Sequence, residues 1–135
     1  MYPHLVAAAL RALADAPGPV LVHCAAGRDR TGMVAAMLLS LTGVEHEAIA
    51  ADYEGAFRGA RHPGGSVAYD VERGVWVQHP GETWTPEQTD QRVRERRAAL
   101  LEWLGDLDPA AWLRFAGLDE ARISRLRGRL RFGRP

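Results

Sequence analysis

The stretch HCAAGRDRT, residues 23–31, holds the side chains of this chain that are best suited to chemistry. Its Cys24 is the only cysteine of the chain, and five residues separate it from Arg30. A loop of that length can curl so that its backbone N–H groups point inward, and a helix that starts there adds its positive end. The small residues at 25–27 permit the curl. We therefore predict a cradle for a tetrahedral oxyanion such as a phosphoryl group. Its members are Ala25, Ala26, Gly27, Arg28, Asp29 and Arg30.

The side chains of this loop favour nucleophilic chemistry on a bound phosphoryl group. The positive field of the loop favours the thiolate form of Cys24, which is the nucleophile. The planar guanidinium of Arg30 can hold two phosphoryl oxygens, which the point charge of a lysine cannot do. Thr31 is placed to donate a hydrogen bond to the departing sulfur, and His23 is placed to orient the loop. The competing interpretation is a buried structural cysteine beside an incidental arginine.

The flanking sequence predicts the elements that position the loop. Val20–Val22 is wholly apolar, which is typical of a short strand buried on both faces. From Thr31 to about Gly43 the sequence is apolar all round, which predicts a buried helix. A first helix, stopped by Pro17-Gly18-Pro19, precedes the strand. Its predicted apolar face consists of Leu5, Ala9, Leu10 and Leu13.

The rest of the chain predicts a hairpin and four further helices. Alternating residues near 67–77, with a turn at 72–74, predict a small hairpin. The segment Thr85–Gln88 has the capping-box pattern of a helix start. The other helices are expected at about 45–57, 108–117 and 119–130. The four tryptophans are expected to pack in the core and the hairpin: Trp76, Trp84, Trp103 and Trp112.

The composition excludes several classes of protein. Seventeen basic residues, all arginine, balance seventeen acidic ones, which argues against a nucleic-acid-binding protein. A single cysteine excludes an internal disulfide and suits a reducing compartment. We expect a cytoplasmic protein, or one exported without a recognisable signal peptide. The remaining histidines show no metal-ligand spacing, so no metal is expected. They are His4, His46, His62 and His79.

The segment 122–134 carries six arginines and no acidic residue. Such a patch can contact an anionic membrane surface weakly, where each charge contributes about 1 kcal/mol. The alternative interpretation is a solvated helix face in an arginine-rich protein.

The motif HCAAGRDRTG resembles the active-site loop of the cysteine-dependent protein tyrosine phosphatase superfamily. That signature is His-Cys, five residues, Arg, and then Thr or Ser. The AGRDR part is closest to the atypical bacterial tyrosine phosphatases, which also accept phosphoinositides and carry lysine at the position of Arg28. The C-terminal stretch WLRFAGLDEARISRLRGRL is similar to the closing helices of that group. The similarity spans residues 20–130 approximately.

The resemblance implies a phosphomonoester hydrolase that needs no cofactor. Cys24 would attack phosphorus of a phosphorylated protein or a phosphoinositide, and water would hydrolyse the phosphocysteine. In the atypical bacterial group the loop aspartate is the candidate proton donor, which assigns that role to Asp29. The alternative is that Asp29 pairs with Arg28 or braces the loop. Asp15, the only aspartate before the cysteine, is not expected to reach the site.

The resemblance also implies an α/β fold in which helices flank a phosphatase-like parallel sheet. Most strands of that sheet precede the cysteine in the superfamily, whereas 23 residues precede Cys24 here. We therefore expect residues 1–135 to form the C-terminal portion of a tyrosine phosphatase-like catalytic domain, truncated and dominated by helices. A lone strand leaves its backbone groups unpaired, so either a longer protein or a partner chain would complete the sheet.

Two alternatives to a phosphatase use the same loop. A truncated scaffold could act as a phosphate-binding module with little or no turnover. Rhodanese-like and arsenate-reducing proteins also use a Cys-x5-Arg loop. Thr31, Asp29 and the pattern of the closing helices favour the phosphatase over these last two.

Overall fold

The computed structural model describes residues 3–24, 27–59, 66–79 and 84–130, and the statements below concern these residues. They form six helices and one antiparallel hairpin. The elements are α1 (Pro3–Asp15), α2 (Asp29–Leu41), α3 (His46–Gly59), β1 (Ser66–Asp70), β2 (Val75–His79), α4 (Pro86–Gly105), α5 (Pro109–Phe115) and α6 (Glu120–Leu130). The prediction of a helix-dominated chain with a small hairpin is confirmed. The described residues contain no parallel sheet.

The starts of the last three helices are fixed by side-chain caps, the first of which is the predicted capping box. The Gln88 backbone N–H donates to Thr85 Oγ1 at 3.2 Å, and the Thr85 N–H donates to Gln88 Oε1 at 2.9 Å. The Asp108 side chain accepts from the Ala111 N–H at 2.9 Å. The Asp119 side chain accepts from the Arg122 N–H at 2.8 Å. Each such cap stabilises its helix by about 1 kcal/mol.

Helix α2 lies at the centre of the described core. On one side it packs with α1, α5 and α6 in the larger hydrophobic cluster. On the other side Ala36 contacts Ile49 of α3 and Leu104 of α4. The most completely buried side chains of the larger cluster are Leu10, Met37, Leu113, Ile123 and Leu126. Because α2 is held from both sides, its first turn is a firm support for the loop that precedes it.

The predicted strand at Val20–Val22 is wrong for the described residues. This segment is irregular and pairs with no described strand. Val20 is 43% exposed and Leu21 is 87% exposed, while Val22 packs against the larger cluster. An apolar run shows that both faces of a segment can be covered, but a strand forms only where another strand pairs with its backbone.

The predicted apolar face of α1 is only partly correct. Leu10 and Leu13 are buried, but Leu5 is 59% exposed and Ala9 is also exposed. The buried face of α1 instead consists of Ala7, Leu10, Leu13 and Ala14. Small residues at helical spacing allow the close approach of α6, and their low hydrophobicity concealed this face in the sequence.

The hairpin pairs β1 with β2, and Tyr69 lies opposite Trp76. Their ring centroids are 5.3 Å apart in an edge-to-face arrangement. The predicted turn is confirmed: Asp70 accepts from the N–H groups of Glu72 and Arg73, both at 3.0 Å. Gly74 completes it with a φ of 65°, which favours glycine. Trp76 remains 71% exposed, so it packs within the hairpin and not in the core.

Four of the six arginines in 122–134 bind the ends of other helices. Arg125 donates to the Ala14 carbonyl at 3.1 Å, and Arg127 donates to the Leu41 carbonyl at 3.3 Å. Arg122 pairs with Asp15, and Arg129 donates to the carbonyls of 16 and 18. Cations at helix C-termini also complement the helix dipole. Arg131 and Arg134 lie outside the described residues.

The ion pair at the end of α1 should make stability depend on acid pH. A hydrogen bond from Arg122, with a second from Arg125, holds the pKa of Asp15 below its usual 3.8. A carboxyl whose folded pKa is depressed stabilises the fold above its unfolded pKa, and this contribution is lost as pH falls through the folded value. Asp15→Asn should therefore lower the melting temperature at pH 7 and weaken its decline below about pH 4.

The matched control is Asp52→Asn, since Asp52 is exposed and forms no ion pair with the described residues. Thermal melts of both variants from pH 7 to pH 2 check this. Identical pH dependence in the two variants would show that the α1–α6 ion pair contributes nothing to stability.

No helix among the described residues is long and apolar enough to cross a bilayer.

Candidate active site

The structure describes both flanks of the predicted phosphate loop. Cys24 is half-buried at the end of the segment that follows α1, and Gly27 begins the second flank. Gly27 has a φ of 66°, in the left-handed region that favours glycine, which agrees with a chain that curls there. Arg28 is the N-cap residue of α2 and makes no side-chain cap hydrogen bond. Ala25 and Ala26 lie outside the described residues.

Arg30 lies in the first turn of α2 with its side chain available to a ligand. It is exposed and forms no hydrogen bond or ion pair with a described residue. Helix α2 is 13 residues long, and the first N–H groups of such a helix have no partner inside the helix. An unpaired arginine in the first turn of a helix is a combination that suits an anionic ligand. His23, the predicted supporting residue, is also exposed.

Thr31 has a hydroxyl that stands out among the described side chains. Its Oγ1 is buried and has no hydrogen-bond partner within the described part of the chain. A buried polar group without a partner costs about 1–3 kcal/mol. This hydroxyl lies in the first turn of α2, where it can donate to a group that the described residues do not supply.

Asp29 is held by two guanidinium groups. Its Oδ2 accepts from Arg28 Nε at 3.3 Å, and its Oδ1 accepts from Arg96 Nη1 at 2.7 Å. The carboxylate remains 51% exposed. The contact with Arg28 was one of the two predicted alternatives for Asp29, while Arg96, which lies 67 positions later on α4, was missed.

Three arginines surround two stacked rings next to the loop. Phe57 stacks on Trp84 with centroids 5.8 Å apart. The guanidinium carbon of Arg28 lies 5.1 Å from the Phe57 centroid, that of Arg96 lies 5.3 Å from it, and that of Arg92 lies 4.3 Å from the Trp84 centroid. The negative ring faces attract these cations. We call these five residues the arginine–aromatic cluster.

The electrostatic surroundings keep Arg96 charged. Burial opposes the charged form, but a hydrogen-bonding interaction with Tyr53 and the charge of Asp29 outweigh it, so the pKa of Arg96 is raised. Within the cluster, Arg28 and Arg96 pair with Asp29, and Arg92 pairs with no carboxylate among the described residues. The surplus of positive charge favours anionic ligands next to the loop.

Tyr53 of α3 lies directly against the first turn of α2. A Cβ added to Gly32 would lie 2.8 Å and 2.9 Å from two ring carbons of Tyr53, which is closer than real Cβ atoms come. Gly32→Ala should therefore push α3 away from α2 and destabilise the chain by about 1–3 kcal/mol.

Gly55→Ala is the matched control, because nothing lies within 4 Å of its added Cβ. Removal of a helical glycine should stabilise this control by about 0.5–1 kcal/mol. Urea unfolding of both variants measures the difference. Equal stabilities would contradict the close contact between Tyr53 and the loop-bearing helix.

The sequence contained only a faint signal for these additional residues. Arg92 and Arg96 are four positions apart and so share one face of α4. Their spacing gave no indication of which ring or carboxylate they would meet. Trp84 was expected to be a packing residue, and the sequence assigned none of Tyr53, Phe57 and Trp84 to the site. Among the described residues, no three His, Cys, Asp or Glu side chains are grouped to hold a metal ion.

Comparisons with known proteins found a matching family and similar curated proteins. The tyrosine phosphatase family matches residues 2–131 of the chain. The triple specificity protein phosphatase PtpB of Mycobacterium tuberculosis is 31% identical over 120 residues, covering 82% of this chain and 43% of that protein. A tyrosine-protein phosphatase of Nostoc commune is 49% identical over 43 residues, covering 32% of this chain and 15% of that protein.

The chain spans less than half the length of these curated relatives. No solved structure matches the chain at a significant level.

Proposed function

Because the chain belongs to the tyrosine phosphatase family, we propose that it hydrolyses phosphomonoesters through a phosphocysteine formed on Cys24. The resemblance to bacterial cysteine-dependent tyrosine phosphatases is confirmed by the family match and by both relatives. Membership of this family disfavours the rhodanese-like and arsenate-reducing alternatives. The proposed substrates are phosphotyrosine-type compounds or phosphoinositides.

The observation that carries the proposal is the unpaired Arg30 at the start of α2. An arginine that is exposed at a helix N-terminus and has no acidic partner among the described residues is available to an anion. Its planar fork matches two phosphoryl oxygens. The left-handed Gly27 lets the preceding chain turn its backbone N–H groups towards the same place.

The proposed reaction has two steps. In the first, the Cys24 thiolate donates an electron pair to phosphorus, the P–O bond to the leaving group breaks, and Asp29 gives a proton to the leaving oxygen. In the second, water attacks phosphorus and gives a proton to the Asp29 carboxylate, the S–P bond breaks, and the sulfur leaves as a thiolate that accepts a hydrogen bond from Thr31. The products are an alcohol or phenol and orthophosphate, and Arg30 stabilises the charged oxygens in both transition states.

Two features support a broad, strongly anionic substrate class. The arginine–aromatic cluster adds the charge of Arg92, which pairs with no carboxylate among the described residues. The relative from Mycobacterium tuberculosis is named a triple specificity phosphatase. Both features favour phosphotyrosine-type and phosphoinositide substrates, which carry more negative charge than a narrow, neutral pocket would accept.

The segment before Cys24 supports a partner that completes the sheet. Val20 and Leu21 are exposed apolar residues without a paired strand among the described residues, and apolar side chains of α1 and α2 line the surface on either side. A strand from a partner chain would pair their backbone groups and cover their side chains. Membrane contact through 122–134 has less support, since four of its arginines bind other helices.

The test is hydrolysis of p-nitrophenyl phosphate by the 135-residue chain in the presence of EDTA. We expect p-nitrophenol release that EDTA does not inhibit. A chain that is folded by circular dichroism but releases no p-nitrophenol would contradict the proposal.

The second candidate is a phosphate-binding module with little or no turnover. It is favoured by segment 20–22, because no described strand supports the chain that leads into Cys24. Orthophosphate binding by calorimetry without any turnover would identify this function instead.

A further inference from the structure

Asp29 is fixed from outside the loop by a side chain of α4. Arg96 Nη1 lies 2.7 Å from Oδ1 of Asp29, while the neighbouring Arg28 places Nε 3.3 Å from Oδ2. Charge-assisted N–H···O bonds are strongest near 2.7–2.9 Å. The distant arginine therefore makes the tighter of the two contacts, and the loop arginine makes the looser one.

Arg96 is itself held in place by α3. Its guanidinium carbon lies 5.3 Å from the centroid of Phe57, whose side chain is 4% exposed, and Tyr53 of the same helix favours the charged form of Arg96. A free arginine side chain loses about 2 kcal/mol of conformational entropy when it is fixed. Because these contacts exist before any substrate arrives, Arg96 presents a preorganised donor to Asp29.

The two contacts on Asp29 also differ in what substrate would do to them. Arg28 belongs to the phosphate loop, so a phosphoryl group in that loop attracts its guanidinium. Arg96 belongs to α4, outside that loop, so a phosphoryl group bound there does not compete directly for its contact with Asp29. Both guanidinium groups lie near Phe57, at 5.1 Å and 5.3 Å, so the difference between them is the element that carries each arginine. Binding of substrate would thus free Oδ2 of Asp29 while Oδ1 remains bonded.

We propose that Arg96 is a positioning residue that aims Asp29 at the leaving group, an inference that rests on the proposed function. With Oδ1 accepting from Arg96, Oδ2 takes a proton from solvent once Arg28 has turned to the phosphoryl group, and it then faces the leaving oxygen. As the S–P bond forms and the P–O bond breaks, the electron pair of that bond moves to the leaving oxygen and takes the proton from Oδ2. Asp29 becomes a carboxylate, and the charge of Arg96 stabilises it.

The test compares two substrates that differ in their need for a proton. Phenolate is a strong base and leaves slowly unless it is protonated, whereas p-nitrophenolate is a weak base and leaves readily. Arg96→Met should lower kcat for phenyl phosphate by about 10²-fold and kcat for p-nitrophenyl phosphate by less than about tenfold, with KM nearly unchanged. Arg96→Lys keeps the charge without the fork and should recover part of the loss.

Arg94→Met is the matched control, since Arg94 is an exposed residue of α4 with no ion pair among the described residues. Its kinetics should equal those of the wild type with both substrates. The double variant Asp29→Asn/Arg96→Met should be no slower than Asp29→Asn alone, because two residues that act through one proton are not additive.

Three results would overturn the inference in distinguishable ways. Equal losses with both substrates in Arg96→Met would give Arg96 a structural role only. Additive losses in the double variant would show that Arg96 does not act through Asp29. An inactive wild-type chain would remove the proposed function and this role together.

Discussion

Serine in place of Cys24 should abolish turnover, with a loss of kcat/KM on the order of 10⁴-fold or more. The serine hydroxyl is not ionised near neutral pH, so it is a far weaker nucleophile than a thiolate. The helix end and Arg30 are unchanged, so the variant should still bind orthophosphate. Steady-state kinetics with p-nitrophenyl phosphate and titration calorimetry with orthophosphate check the two halves of this expectation.

The fold of the Cys24→Ser variant is its internal control. Cys24 is half-buried and forms no disulfide, so the melting temperature should shift little. A folded variant that keeps the wild-type rate would show that another group is the nucleophile. A variant that loses both turnover and orthophosphate binding would show that the thiol organises the loop and would leave its chemical role unsupported.

Lysine in place of Arg30 should lower kcat/KM by about 10²–10³-fold. The substitution keeps one positive charge but removes the bidentate contact with two phosphoryl oxygens. Because this contact tightens as charge develops on those oxygens, kcat should fall and KM should rise. Since Arg30 is exposed and binds no described residue, the stability of the variant should equal that of the wild type.

Arg94→Lys is the control for Arg30→Lys, because it makes the same chemical change at an exposed position of α4. Its kinetic constants should not change. If Arg30→Lys and Arg94→Lys have the same activity, the phosphoryl group does not bind at the start of α2, and the account of the loop is wrong.

The sequence predicts those parts of the fold that depend on local signals. Capping residues such as Thr85 and Asp108 act over three or four positions, so the helix starts could be located from the sequence. The hairpin turn at Asp70–Gly74 is equally local. Val20–Val22 failed as a prediction because a strand depends on a neighbouring strand, and the run of three apolar residues carries no information about whether that neighbour is present.

The same distinction applies to the candidate site. The order of Cys24, Gly27 and Arg30 within one loop is a local property, and the resemblance of that loop led to the family that the comparisons confirm. The pairing of Asp29 with Arg96 joins positions 67 residues apart, and it depends on how α4 crosses α2 and α3. No local pattern encodes that crossing, so a residue that fixes the loop could be found only in the structure.

The central claim is that Cys24 carries the phosphoryl group, and acid quenching of a reaction in progress tests this most directly. The wild-type chain would be mixed with p-nitrophenyl phosphate, quenched within milliseconds at low pH, digested, and analysed by mass spectrometry. We predict a peptide with one phosphoryl group on Cys24, which forms in the wild type and is absent from Cys24→Ser. A chain that turns over substrate but never carries phosphate on Cys24 would contradict the account.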